Sequence, residues 1–241
     1  MIKVGKQNLI TDVPGIRVGN IHDQKIRSGV TVIIPDEPAV AAADIRGGGP
    51  GSRETEALNP DCLVDVVHGI VLSGGSAFGL DAAGGVMASL KEKRIGKTFD
   101  LGNVGAGYGA IAGGLKGGLG SASFVFFDGK SEITLGAIAA VNSMGSLTMP
   151  GSPTMWAFPY EQNQELGNQP MPAKTIKMDL DFTFELPVGK NTTLVTVATD
   201  AALTKPQARR VAIMAQDGLA RGVYQAQSLG DLDSYRDRYG S

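Results

Sequence analysis

A chain of 241 residues with 42% apolar and 19% charged residues is long enough to bury one sizeable core. Its net charge of −2 carries no basic block, which excludes the phosphate-neutralising surface that nucleic-acid binding relies on. No apolar run reaches the roughly 18 residues that span a bilayer, "MIKVGKQNLITD" has no apolar leader core, and one cysteine with two histidines leaves little for a disulfide or zinc site. The expectation is a cytoplasmic protein with no membrane or nucleic-acid partner and no metal or organic cofactor.

In chain order, "TVIIP" (31–35) and "GIVLSGG" (69–75) read as strands, β-branched and bounded by turn residues. "FGLDAAGGVMASLKEK" (78–93) reads as a helix. "SFVFFDGK" (123–130) and "ITLGAIAAVNS" (133–143) are two further strands, with Asp128-Gly129 as a hairpin turn between them. "YEQNQELGNQPMPAKT" (160–175) is polar and proline-bearing, a surface excursion returning to the strand "TLVTVATD" (193–200). The last helix spans 204–223, with Ala208, Val211, Ala212, Ala215, Leu219 and Val223 on one face. Thr204 is placed to cap it, Gln207 to close a capping box, and Pro206 fits the first turn. Strands apolar on both faces need a layer on each side, so the pattern predicts a layered α/β domain with no internal repeat.

Glycine is the compositional outlier, 34 residues gathered in apolar surroundings at 46–51, 73–79, 102–120 and 145–151. That setting predicts tight turns and close backbone packing. Several familiar motifs fail. "GAGYGA" lacks the GxGxxG spacing and has Val125 where a ribose-binding acid would fall. "GKT" and "GKS" have no glycine five residues earlier, and "GSAFG" is not a nucleophile elbow. Cys62 is expected as a core or half-buried thiol.

The strand at 193–200 is entered through Asn191-Thr192. A threonine hydroxyl needs a base, and this chain offers no obvious histidine. Cutting the peptide bond before Thr192 would create an α-amine, with a reference pKa of about 7.7–8.0, on the residue that carries the hydroxyl. Nucleophile and base would then be covalently held together. The residues alone leave two readings open: a self-processing site yielding 1–191 and 192–241, or plain β-forming threonines at a strand entrance.

The words "LITDVPGIRVGN", "ADIRGGGPGSRETEAL", "VVHGIVLSGGSAFGLDAAGGV", "VGAGYGA", "LKGGLGSAS", "AAVNSMGS" and "NTTLVTVATDAALTKPQA…VAIMAQDGLARG" stand in this order between residues 9 and 222. In wording and order they resemble the L-aminopeptidase/D-esterase (DmpA-type) family, which includes the β-peptidyl aminopeptidases and the nylon-oligomer hydrolases. The resemblance implies a four-layer α-β-β-α sandwich, shared with the ornithine acetyltransferases. It also implies a single domain cleaved at Asn191/Thr192, and a homo-oligomer, with a tetramer expected. Thr192 takes the nucleophile's place, and Lys116 in "LKGG" and Asn142 in "AVNS" match the active-site lysine and asparagine. Asp231 and Asp233 in "LGDLDS" match a carboxylate pair that would orient the new amine and hydroxyl. Gly75, Ser76 and Phe78 belong to the substrate-pocket segment, with Phe78 where some members carry tyrosine.

Besides Phe78, two further departures bear on activity: a shortened stretch from Arg94 to Val104, and the tail "QSLGDLDSYRDRYGS" in place of the usual closing motif, strand and helix. The expected function is an autoprocessing amidohydrolase or aminopeptidase acting on a small peptide, amide or linear amide oligomer. The alternatives are an impaired or truncated relative serving binding or assembly, and an ornithine-acetyltransferase-like acyltransferase.

Overall fold

The computed structural model describes residues 2–47, 50–89, 98–143, 145–172 and 192–224. Its strands are β1 (Lys3–Val4), β2 (Ile16–Asp23), β3 (Ser28–Pro35), β4 (Ile70–Ser73), β5 (Ile111–Ala112), β6 (Leu115–Lys116), β7 (Gly118–Phe127), β8 (Glu132–Val141) and β9 (Leu194–Thr199). Its helices are α1 (Ser76–Gly79), α2 (Ala82–Ser89) and α3 (Lys205–Gly222). One sheet has four strands in the order β1-β7-β8-β9, a second has three in the order β2-β3-β4, and β5 and β6 form a small hairpin. Among the described residues all strand pairings are antiparallel.

The alternation within β8 explains its place in the middle of the larger sheet. Thr134, Gly136, Ile138 and Ala140 are buried on one face, while Ile133, Leu135, Ala137, Ala139 and Val141 are half-buried on the other. A period of two with apolar residues at both phases suits a strand covered on both sides. The buried core joins the two sheets: Val18, Ile33 and Leu72 come from one, and Leu119, Ile138 and Ala140 from the other.

Between them lies a 3-10 turn, Gly105–Gly107. Ala106 belongs to the core cluster, and its N–H donates to the hydroxyl of fully buried Thr31 at 2.9 Å. This bond satisfies a backbone donor that burial would otherwise leave unpaired. Gly107 runs so close to β7 that a Cβ there would collide with the Leu119 nitrogen and the Gly118 carbonyl carbon. Position 107 of this wedge therefore fits only as glycine.

The N-terminal segment is fastened to β7 by side chains. Ser121 Oγ accepts the Ile10 N–H at 2.8 Å and donates to the Ala137 carbonyl at 2.7 Å. Buried Ser123 donates to Asp12 Oδ2 at 2.6 Å. The Asp128-Gly129 turn forms as the sequence predicts, with Asp128 Oδ1 accepting the Lys130 and Ser131 N–H groups at 2.7 and 2.8 Å. Those two bonds, from Ser131 and then Lys130, hold the Asp128 carboxyl below its ordinary value.

α3 starts where its cap predicts. Gln207 Oε1 accepts the Thr204 N–H at 2.9 Å, and Ala208 through Leu219 on the expected face are half-buried, ending in buried Val223. The Lys205 ammonium donates to three carbonyls, of Asn59, Cys62 and Val64, at 2.9, 3.0 and 2.8 Å, tying this helix to the 59–64 segment. Cys62 is half-buried, as expected. The helix expected at 78–93 is corrected. Two short helices, α1 and α2, replace its first part, and residues 90–93 lie outside the described residues. Gly75 and Ser76, with φ of 92° and 54°, set the start of α1, and the break comes after it, where the Leu80 and Asp81 N–H groups donate three residues back, to the Ala77 and Phe78 carbonyls at 3.3 and 3.4 Å, in place of the four of an unbroken α-helix. Among the described residues no helix is long and apolar enough to cross a membrane.

Candidate active site

The antiparallel order β7-β8-β9 decides which ends meet. β8 finishes at Val141, β7 begins at Gly118 opposite Val141, and β9 begins at Leu194 opposite Ala140. Asn142 is the next residue after β8. Lys116 stands two residues before Gly118, and Thr192 two residues before Leu194. The three sequence candidates, separated by up to 76 positions in the chain of 241, therefore sit at one end of three neighbouring strands. Thr192 and Lys116 are exposed and Asn142 is half-buried.

Lys116 is held by the β5–β6 hairpin. Gly113 and Gly114 form its turn, with φ of 54° and 81°, both left-handed as a two-residue hairpin turn of this hand requires. Ile111 pairs with Lys116, and Ala112, fully buried, pairs with Leu115. The Asn142 side chain closes the link between hairpin and sheet, because its Oδ1 accepts the Ile111 N–H at 2.9 Å. The Gly113 N–H donates to the Ser143 carbonyl at 3.1 Å, and Tyr224, beyond the end of α3, donates its N–H to the Ser146 carbonyl at 3.0 Å. Ser143 and Ser146 are thus tied to the hairpin and to the residue beyond α3 respectively.

The segment expected to line a substrate pocket, Gly75 to Phe78, follows β4 of the other sheet. Gly74 donates its N–H to the Gly29 carbonyl at 2.9 Å, and Gly75 and Ser76 then open α1 in left-handed conformations. The Gly105–Gly109 stretch passes close to Gly29 and the Arg27 carbonyl on one side and to Gly118 on the other, so it joins the two strand-end regions. Gly75, Ser76 and Phe78 are all exposed, Phe78 to 94%. Asn191, Asp231 and Asp233 lie outside the described residues. A shallow depression of about 290 Å³ lined by Lys3, Phe127 and Glu132 is at the opposite end of β8 from Asn142, so it is remote from this chemistry.

Sequence reasoning passed over Ile111, which touches two of the candidates: it is the cross-strand partner of Lys116 and a donor to Asn142. "IAGGLK" did carry a signal, a Gly-Gly pair between apolar residues, which is a hairpin pattern. Tyr108 was missed too; its ring stacks on His22 at 4.3 Å, and nothing in the local sequence pairs them.

Comparison with known proteins adds the following. The model of "Peptidase family S58" matches residues 8–100 and 92–233. A Mycobacterium tuberculosis protein described as an uncharacterized aminopeptidase is 35% identical over 281 aligned residues, covering 94% of this chain and 80% of that one. The 6-aminohexanoate-oligomer endohydrolase of a Kocuria species is 36% identical over 89 residues, 37% of this chain and 23% of that protein. The L-aminopeptidase D-Ala-esterase/amidase of Ochrobactrum anthropi, a variant of the Ntn hydrolase fold, superposes with a TM-score of 0.59. It has 22% identity, with 92% of this chain and 70% of that chain covered, and that likeness concerns the fold.

Proposed function

The chain belongs to peptidase family S58, and from that premise we propose that it is a self-processing amidohydrolase of the aminopeptidase type with Thr192 as its nucleophile. The observation that carries the reading is the meeting of Lys116, Asn142 and Thr192 at one end of β7, β8 and β9. Three functional groups assembled from distant sequence positions at exposed or half-buried strand ends are suited to work on a ligand. A core position would suit packing instead.

In the first reaction the Thr192 hydroxyl attacks the Asn191 carbonyl. The amide C–N bond breaks as the ester forms, and water then releases Asn191 as a carboxylate and Thr192 with a free α-amine. In turnover that amine takes the proton from Oγ1 as the oxygen attacks the substrate carbonyl, and returns it to the leaving amine. Water then hydrolyses the acyl-threonine ester. Asn142 is the group suited to donate to the developing oxyanion from its amide nitrogen. The Lys116 ammonium favours the neutral form of a nearby amine, the form that acts as base. Activity should rise with pH through about 7–8 as the Thr192 amine loses its proton.

The substrates proposed are short peptides, amides and linear amide oligomers. The aminopeptidase and oligomer-endohydrolase relatives support this class. The test is intact-mass measurement of purified protein, followed by assay on aminoacyl p-nitroanilides. The expected result is two chains, 191 and 50 residues long from the 241 of the precursor, that together release p-nitroaniline. The Thr192→Ala variant should remain one chain of 25.0 kDa. A wild-type protein that stays a single species after prolonged incubation, or a Thr192→Ala variant that still divides, would overturn the mechanism.

A further inference from the structure

We propose that Ile111 selects substrates by forming an apolar wall beside Lys116, so that the enzyme favours amides whose acyl portion carries a branched aliphatic side chain. The inference rests on the hydrolase reading and extends it to substrate class.

Ile111 and Lys116 are directly paired across the antiparallel hairpin, so their side chains leave the same face, with Cβ atoms about 4.5–5.5 Å apart. The backbone of Ile111 is fixed on its other side by the bond from its N–H to Asn142 Oδ1. A ligand carbonyl brought between Asn142 and Lys116 therefore meets the Ile111 side chain next. That side chain is 47% exposed, although the neighbouring Ala112 is fully buried. A scattered exposed aliphatic residue needs no explanation. This one is held by two separate constraints within reach of both polar groups, which makes it a defined apolar contact.

Leu115 supplies the internal control. It lies in the same hairpin and is similarly exposed, at 46%, but it pairs with Ala112 on the opposite face from Lys116. Any general effect of trimming an aliphatic residue from the hairpin should appear equally at Leu115. A substrate-selecting contact should appear only at Ile111.

The experiment measures kcat and KM for leucyl, alanyl and glycyl p-nitroanilides with the processed wild type, Ile111→Ala, Ile111→Val and Leu115→Ala, with a thermal melt of each. In Ile111→Ala the leucyl-to-glycyl ratio of kcat/KM should fall about tenfold, chiefly through KM, as expected when apolar contact to a substrate side chain is lost. Ile111→Val, which keeps the β-branch, should hold the ratio within about threefold. Leu115→Ala should leave it unchanged. An unchanged ratio in Ile111→Ala, or an equal fall in Leu115→Ala, overturns the role of Ile111 while the hydrolase reading stands. A wild type that turns over none of the panel instead overturns the hydrolase reading, and this proposal with it.

Discussion

Gly107 and Gly85 both sit in glycine-rich apolar stretches, yet their surroundings differ completely. A methyl group on Gly107 would run into the backbone of Gly118 and Leu119, whereas one on Gly85 in α2 would meet nothing among the described residues. The first glycine is required by close packing between two sheets; the second lies in an exposed helix, where glycine only weakens the backbone. The same contrast recurs within residues 105–116. The wedge Gly105–Gly107 is buried, while Ile111, Leu115 and Lys116 in the hairpin a few residues later are exposed. The lesson is a division of labour: the wedge sets where the strand ends lie, and the rim it supports carries groups that a ligand can reach.

If that division is right, rim and interior substitutions should separate activity from stability. The largest effect is expected at Asn142→Ala, where loss of the proposed oxyanion donor should lower kcat by about 10² to 10³. Its melting temperature should change far less, because the side chain is only half-buried; a parallel collapse in stability would break the comparison. Next comes Gly107→Ala. Forcing a methyl group against fixed backbone should cost about 1–3 kcal/mol or more in urea unfolding, with any surviving folded enzyme still able to process.

Gly85→Ala should act in the opposite direction. It should raise stability by about 0.5–1 kcal/mol by favouring the helical backbone of α2, again read from urea unfolding. A destabilised Gly85→Ala protein would show that α2 has a close neighbour after all.

The smallest effect is expected at Asp128, at the far end of β8's hairpin. Its carboxyl is held low by the Ser131 and Lys130 N–H groups. A depressed folded-state pKa contributes stability above the ordinary carboxylate range and loses it as the pH falls through the lowered value. The melting-temperature difference between wild type and Asp128→Ala should therefore be present near neutral pH and shrink below about pH 4. A difference that grew on acidification would sink this reading. Glu165, held low by the Gln162 and then the Asn163 N–H groups, should behave with the same sign.

How legible the fold and site were differed by element. β3, β4, β7, β8 and β9 announced themselves through β-branched runs between turn residues, and α3 through its cap, proline and apolar face, because those signals act over a few residues. β2, "IRVGNIHD", was missed: its Gly19, Asn20 and polar end hide the strand pattern, and pairing with β3 along all eight residues overrides that weak propensity. The helix expected at 78–93 is interrupted at Leu80 and Asp81, because periodicity does not register a local switch from four-residue to three-residue hydrogen bonds.

The sequence by itself determined the element types that rest on local periodicity, the family wording, and the chemical identity of Thr192, Lys116 and Asn142. Local spacing carries no distance between residues 116, 142 and 192. Their meeting depends on antiparallel register within the four-stranded sheet, and on the wedge that keeps the second sheet against it. Tertiary structure alone also decided which glycines are indispensable, because close approach is a property of packed surfaces that composition does not encode.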